Sequence, residues 1–152
     1  MSGIINSAGS KSGVIGSTEI SGGYEEGNWT ATIAGSSSAG TATYVHRPAT
    51  YTKIGRMVLA RTFIIWNSGN GSGNLQLHGL PFTNYGDGAY GTVSISNCNG
   101  ITLASGNCWL GGYINDSSTY VVCLQGPTGG GSAVVPYDGA GEMMLTAMYQ
   151  TN

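Results

Sequence analysis

The residues that carry acid–base or nucleophilic chemistry are few in this chain and far apart in the sequence. There are two histidines, His46 and His78, and neither stands with an acidic residue in a recognisable motif. The seven acids occur singly apart from Glu25-Glu26, so they do not provide the carboxylate pair that a glycosidase needs. No GxSxG, HExxH or phosphate-binding motif is present. The sequence therefore predicts that the protein is not an enzyme, and it points to no cofactor.

The thiols do not suggest a metal site or a disulfide scaffold. Cys98, Cys108 and Cys123 are an odd number, whereas a disulfide scaffold needs a denser, even set. The simplest interpretation is buried thiols that act as small hydrophobic side chains, and the alternative is a Cys98–Cys108 bridge across a hairpin. Zinc spacing is absent, and Asp87 with Asn84 supplies too few carboxylates for calcium. We therefore predict no metal.

Composition limits the classes of partner. Of the 152 residues only 8% are charged, against about 25% in ordinary soluble domains, and the net charge is −2. Lys53, Arg56 and Arg61 are too few to form a basic patch, so we predict no nucleic-acid partner. No apolar run approaches the roughly 20 residues of a membrane span, so no membrane insertion is expected. The N-terminus lacks the pattern of a signal peptide, so we expect folding in a cytosol.

The elements that position these residues are predicted to be short strands. The 27 glycines accompany abundant Ser, Thr, Asn and Tyr, a composition typical of strands joined by turns. Eight to ten strands at a spacing of roughly 8–12 residues predict an all-β fold, an antiparallel jelly-roll-like β-sandwich. Glu25-Glu26 is predicted to mark a surface turn. The clearest predicted strands span residues 41–45, 57–66, 75–80, 92–96, 101–104, 119–125 and 142–149.

The longest apolar run, residues 57–66, has two apolar faces. One face carries Val58, Ala60, Thr62, Ile64 and Trp66, and the other carries Met57, Leu59, Arg61, Phe63 and Ile65. We expect one face to cover the core and the other to meet a second sheet or a second subunit. Arg61 is interpreted as a paired or snorkelling side chain. Met144 and Met148 indicate a second face on the last strand that is also partly covered. The residues assigned to the core or to a trimer contact are Val58, Arg61, Phe63, Ile65 and Trp66.

Two further segments are candidates for function. Residues 1–24 are interpreted as an extended N-terminal arm in front of a β-sandwich domain at residues 25–152. The arm is expected to dock on a neighbouring protein through Ile4, Ile5, Val14 and Ile15, and the alternative is a free terminus. The glycine-rich stretch after Phe82 contains Tyr85, Asp87 and Tyr90, and two tyrosines in such a loop suit glycan or protein binding. A plain hairpin connection is the alternative.

Several stretches resemble a known module. They are Gly27-Asn28-Trp29-Thr30, Gly40-Thr41-Ala42-Thr43, residues 51–58, Gly79-Leu80-Pro81-Phe82 and a final strand that ends in tyrosine. Together they resemble a β-sandwich module of tailed-bacteriophage structural proteins, often found at the C-terminal ends of tail fibres. The resemblance covers roughly residues 24–152, and the N-terminus is similar to the starts of short phage structural proteins.

This resemblance implies a virion protein, commonly a homotrimer, without catalytic residues. A short arm stands where a typical fibre has a long shaft, which favours a small fibre, decoration or cement protein attached to the capsid or tail. The expected partners are further copies of the chain and other virion proteins, and assembly is expected in the host cytoplasm. The alternative is a tail-fibre-type adhesin that recognises a host surface glycan or protein through its aromatic loops.

Overall fold

The computed structural model describes residues 23–152, which form an all-β fold. Within that range there is no helix, and hence none that could cross a membrane. Every strand pair is antiparallel. The strands are β1 Tyr24–Asn28, β2 Thr32–Gly35, β3 Thr43–His46, β4 Ala49–Ile54, β5 Met57–Asn67, β6 Leu75–His78, β7 Gly91–Asn99, β8 Trp109–Ile114, β9 Tyr120–Gly126, β10 Ala133–Val134 and β11 Gly141–Gln150.

The predicted fold class is confirmed as all-β and antiparallel, and the sheet is continuous. Hydrogen bonds connect nine strands in the order β1-β4-β5-β11-β7-β8-β9-β6-β2, with β3 also on β5 and β10 on β9. One curled sheet thus takes the place of the two separate sheets of the predicted jelly-roll-like sandwich. Two local predictions were wrong. Glu25 and Glu26 lie inside β1 and form no turn, and residues 101–104 are not a strand.

The curl follows from chain connectivity. β1 and β2 are at opposite ends of the hydrogen-bonded order, yet only residues 29–31 join them. A flat sheet of nine strands would separate these edges by roughly 38 Å, at about 4.8 Å per strand. The connection can span at most about 14 Å, so the sheet must bend until its two edges approach. Trp29 lies at this junction, where its backbone N–H donates to Ala49 O at 3.1 Å and its Nε1 to Thr50 O at 3.1 Å.

The inner face of the curled sheet encloses the core. β5 contributes Val58, Ile64 and Trp66, all with no exposed area, and Trp66 Nε1 donates to Asp138 O at 3.0 Å. Strands from the far end of the order supply Leu75, Leu77, Val121 and Ile33 to the same cluster. The core therefore joins strands that are distant in the sheet, and this packing stabilises the curl.

The outer face of β5 and β11 is covered only in part by residues 23–152. Met57, Leu59, Met144 and Met148 are 48%, 46%, 40% and 50% exposed. No second sheet formed by residues 23–152 packs there, contrary to one of the two predicted alternatives, and the predicted partial cover of Met144 and Met148 stays a prediction. The predicted arm, with Ile4, Ile5, Val14 and Ile15, lies outside the described residues.

Candidate functional site

The three residues predicted to form a binding loop differ in their environments. Tyr85 is half-buried, its ring lies 4.1 Å from the guanidinium carbon of Arg56, and its backbone N–H donates to Gln150 O at 2.8 Å. Asp87 is exposed, and its Oδ1 accepts the N–H of Ala89 at 3.0 Å, which closes its own turn. Tyr90 is 62% exposed. Of these three side chains, Tyr90 is the one that presents a large aromatic surface to a ligand.

Asn84 holds this loop in place. Its side chain is only 2% exposed, and Nδ2 donates to Ala89 O at 3.3 Å, Ile114 O at 3.4 Å and Asn115 O at 3.1 Å. The amide nitrogen of Asn84 thus bonds both to the loop and to the turn after β8. This role is structural, because it fixes the position of the loop that carries Tyr90.

A row of four aromatic rings crosses the outer face of β8, β9 and β6, starting from Tyr90. The Tyr90 and Tyr113 rings are 5.5 Å apart at a tilt of 36°, and the His78 and Tyr120 rings are stacked at 4.7 Å and 9°. Tyr113 pairs with Val122, so Tyr113 and Tyr120 are diagonal neighbours on one face, about 7–8 Å apart between Cα atoms. We call Tyr90, Tyr113, Tyr120 and His78 the aromatic row.

A polar groove of about 420 Å³ adjoins the aromatic row. Asp116 lies in its wall, and the Oδ1 atom of Asp116 is buried without a hydrogen-bond partner among the described groups. Ser117 follows at a φ of +53°, a left-handed conformation that is uncommon for a residue other than glycine. The groove is lined by Tyr90, Asn115, Asp116, Ser117, Ser118, Thr119 and Tyr120.

These features define the ligand chemistry that the site suits. The ring faces offer flat apolar contact. The adjoining hydroxyl, amide and carboxylate groups offer hydrogen-bond acceptors, and the hydroxyl and amide groups can also donate. The groove lining contains one acid and no base, so it favours neutral hydroxyl-bearing ligands over anions. Burial lowers the pKa of His78, which keeps its ring neutral near pH 7. The aromatic row with its groove is therefore a candidate binding site for a molecule with both apolar faces and hydroxyl donors.

The carboxylates of β1 are engaged by tyrosines. Tyr51 Oη donates to Glu25 Oε1 at 2.6 Å, and Tyr24 Oη donates to Glu26 Oε2 at 2.7 Å. The hydrogen bond to Glu25 raises the pKa of Tyr51, and the hydrogen bond to Glu26 raises that of Tyr24. Among residues 23–152 no group of three or more His, Cys, Asp or Glu side chains lies together in a way that could hold a metal ion.

All three thiols are free. Cys123 is buried in the core, and burial raises the pKa of its thiol to about 12. Cys98 and Cys108 are exposed, so the expectation of buried thiols was wrong for these two. Cys108 Sγ lies 3.2 Å from Thr128 Oγ1.

The predicted core or trimer residues of β5 separate onto two faces. Val58 and Trp66 lie in the core. Phe63 and Ile65 are half-buried on the outer face, where His46 contacts Phe63 edge-on at 5.1 Å. Arg61 is exposed on that face, and its Nε donates to Thr50 Oγ1 at 3.0 Å.

Sequence reasoning missed most of the aromatic row. Tyr113, Tyr120 and His78 were not selected, because they are isolated aromatic residues within separate strands. Their proximity comes from the pairing of His78 with Tyr120 and of Tyr113 with Val122. The burial pattern along β8 and β9 does not alternate, so no local signal marked these residues as members of one face.

Comparisons with known proteins identify the fold. No family model matches the chain, and no curated protein sequence matches it. Among solved structures, the crystal structure of the Dettilon tailspike protein is similar, with a TM-score of 0.66 and 16% sequence identity. The similarity covers 85% of this chain and 24% of the tailspike chain, so the chain spans about a quarter of the length of that protein. At this identity the likeness shows a shared fold.

Proposed function

We propose that this chain is a non-enzymatic structural protein of a bacteriophage virion, a small trimeric fibre or decoration protein. The observation that carries the proposal is the fold shared with a tailspike protein over 85% of the chain. A tailspike is by its name part of a tail, and the likeness supports a tail-associated role here. A cryo-EM map of purified particles is the direct test. A particle whose complete map and peptide composition lack this chain contradicts the proposal.

Attachment to the particle is assigned to the N-terminal arm. Its apolar pairs Ile4-Ile5 and Val14-Ile15 supply docking side chains in an otherwise small and polar segment. Deletion of residues 2–20 is expected to leave a folded domain that no longer sediments with particles. The full-length chain is the control. Attachment that survives the deletion shows that another surface does the docking.

The non-enzymatic assignment is supported by the hydrogen bonds that three of the acids accept. Glu25 and Glu26 accept tyrosine hydroxyls, and Asp138 Oδ2 accepts the N–H of Thr102 at 2.9 Å. Carboxylates engaged in this way stabilise strands and turns. Incubation with host-envelope polysaccharide is expected to release no new reducing ends. Turnover of any such polysaccharide contradicts the non-enzymatic assignment.

A second candidate function, a receptor-binding adhesin, is favoured by the aromatic row. Tyr90, Tyr113, Tyr120 and His78 form an amphipathic surface beside an acceptor-lined groove, which suits a host surface glycan or a protein segment. Tyr90→Ala with Tyr120→Ala is expected to reduce binding of the purified protein to host cells by at least tenfold.

The matched control for this test is Tyr24→Ala. Tyr24 is 60% exposed, and its hydroxyl donates to Glu26, which lies outside the aromatic row and its groove. Tyr85→Ala is a less suitable probe, because it removes the ring that packs on Arg56 and so disturbs the loop itself. No cell binding by the unmodified protein leaves the purely structural role, and equal losses from Tyr24→Ala rule out the aromatic row as the binding surface.

A further inference from the structure

The outer side of β4, β5 and β11 carries an apolar surface that residues 23–152 leave largely exposed. Its six members are 40–50% exposed or half-buried, although each is a large apolar side chain. The outer face of an antiparallel sheet that meets water is ordinarily polar. We call this surface the methionine face, and it is formed by Ile54, Met57, Leu59, Phe63, Met144 and Met148.

Strand register makes the methionine face continuous. Met148 pairs with Leu59, Met144 pairs with Phe63, and Ile54 pairs with Met57. Directly paired residues of an antiparallel sheet have Cβ atoms about 4.5–5.5 Å apart, so each pair forms a contiguous apolar unit. Thr146 and Arg61 form the pair between the two main units. The face is thus one apolar stripe with a single cation near its middle.

The composition of this face is typical of a protein–protein contact. Three of the five methionines in the sequence lie on it, beside Phe63 and Arg61. Interfaces are enriched in methionine, aromatic residues and arginine, and their centres are depleted in lysine and acids. Scattered exposed hydrophobic residues need no explanation, but a contiguous patch of this kind marks an interaction site.

The size of the surrounding sheet suits a stable self-contact. β1, β4, β5, β11 and β7 are five neighbouring strands, and β11 has ten residues. At about 4.8 Å between strands and about 3.4 Å per residue, the outer side measures roughly 20 by 34 Å. This projected area, on the order of 700 Å², is close to the roughly 800 Å² per partner of a standard interface.

The grooves and the charges of the outer side favour a second copy of the chain as the molecule that covers it. A groove of about 630 Å³ opens on this side between β1 and β5, with Glu26, Leu59 and Arg61 in its lining. Two smaller grooves open beside Phe63 with Met144 and beside Met57 with Met148. Arg61 lies near the centre of the outer side and Glu26 on its β1 border, so this side offers both a cation and an acid. In a closed trimer each contact is head-to-tail, so the arginine of one copy can meet the acid of the next.

We propose that the methionine face is the contact surface between copies of this chain, with Arg61 of one copy facing Glu26 of the next. This rests on the proposed function, in which the protein is a homotrimer, and it assigns the surface that holds the trimer together. The loop that carries Tyr90 lines the same groove as Met57 and Met148, so it borders the methionine face. Assembly through this face therefore brings the loops of different copies near one another.

The test is the mass of the full-length chain in solution with charges placed on the face. The unmodified chain is expected to run at three times its 15.5 kDa protomer mass in light scattering after gel filtration. Leu59→Glu with Met148→Glu places two like charges on directly paired residues and is expected to reduce that mass threefold. Ala133→Glu with Val134→Glu, on the exposed strand β10, adds the same charge elsewhere and is expected to leave the trimer intact.

Methionine oxidation gives a second readout. Met57, Met144 and Met148 are expected to be protected in the unmodified trimer, and Met57 and Met144 are expected to oxidise several-fold more slowly there than in the charged variant, which lacks Met148. Met143 is fully buried in the core and is the internal control, because its protection reports only folding. A charged variant that oxidises Met143 as fast as Met57 and Met144 is unfolded, and the protection of Met57, Met144 and Met148 relative to Met143 in the unmodified chain then decides the question.

The possible failures separate the two proposals. If the charged pair leaves the trimer intact, and the unmodified trimer oxidises Met57, Met144 and Met148 freely, the surface assignment is overturned and the homotrimer still stands. An unmodified chain that is monomeric at every concentration overturns both the self-contact and the trimer. Docking on the particle through residues 2–20 is measured separately by sedimentation and is unaffected by either result.

Discussion

His78 and Tyr120 stack face to face on paired strands of the curled sheet, with ring centroids 4.7 Å apart and planes 9° apart. His78 Nε2 also lies 2.9 Å from Gln76 Oε1. The packing buries part of the imidazole, and this burial lowers the pKa of His78. The stack therefore couples the geometry of the aromatic row to the protonation of one side chain.

The first prediction concerns pH. Because the native pKa of His78 lies below the unfolded value of about 6.5, the unfolded chain binds more protons once the pH falls through that value. The stabilising effect of the neutral ring is complete above about pH 6.5 and is lost as the pH decreases toward the native pKa. We expect a loss of less than about 1 kcal/mol, because solvent screens a half-buried ring.

Thermal melts from about pH 7.5 to about pH 5 measure this effect. His78→Gln is expected to remove that part of the pH dependence, and His46→Gln is expected to retain it. Equal slopes for the unmodified chain and His78→Gln show that the stack does not affect the titration of the ring.

The second prediction concerns Asn84. Its buried amide nitrogen donates to Ala89 O, Ile114 O and Asn115 O, so Asn84→Ala leaves carbonyls without partners. We expect a loss of about 1–3 kcal/mol in the free energy of unfolding. Thr83→Ala, at the exposed neighbour, is expected to change it by less than about 0.5 kcal/mol. Urea unfolding measures both, and similar values for the two variants argue against the anchoring role of Asn84.

The third prediction concerns the glycine-rich tip after β5. A Cβ atom at Gly69 meets the hydroxyl of Tyr137, and this hydroxyl is buried without a hydrogen-bond partner among residues 23–152. Gly69→Ala is expected to destabilise the fold by about 1–3 kcal/mol. Gly131→Ala, with open space around its Cβ position, is expected to be neutral. Addition of Tyr137→Phe makes room and should restore part of the loss. Failure of this rescue places the strain elsewhere.

The fourth prediction concerns thiol reactivity. Cys98 and Cys108 are free and exposed, so both are expected to react with a maleimide in the native protein. Cys123 is buried and its pKa is about 12, so it carries almost no thiolate and is expected to react only after unfolding. Mass spectrometry before and after denaturation counts the labels. A native protein without reducing agent that takes no label at Cys98 and Cys108 contains the alternative Cys98–Cys108 bridge.

The strands of the core could be predicted from local pattern. In β5 and β11 every second residue faces the core and most of these are apolar, as Val58, Ile64, Met143 and Leu145 show. Pattern failed at β1, because Glu25 and Glu26 belong to an edge strand with little burial. Glu25 accepts a hydrogen bond from Tyr51 on the neighbouring strand, and Glu26 accepts one from Tyr24. The contact with Tyr51 depends on strand pairing, which no local rule anticipates.

The candidate site was predicted only in part. Tyr90 was identified from its glycine-rich surroundings, which predict exposure. Tyr85 has the same kind of neighbours in the sequence, but Arg56 packs on its ring. The difference lies in a contact between segments that are far apart in the chain, so the sequence pattern could not separate the two tyrosines.

The sequence by itself determined the all-β class, the alternation that directs Val58 and Trp66 into the core, and the apolar character of both faces of β5. These properties depend on side-chain type and on a period of two residues, which are local. Tertiary structure alone decided that one sheet curls on itself, that Tyr90, Tyr113, Tyr120 and His78 form a row, and that residues 23–152 leave the methionine face largely uncovered. Strand order and register decide those features, and both depend on which distant segments exchange backbone hydrogen bonds when the core closes.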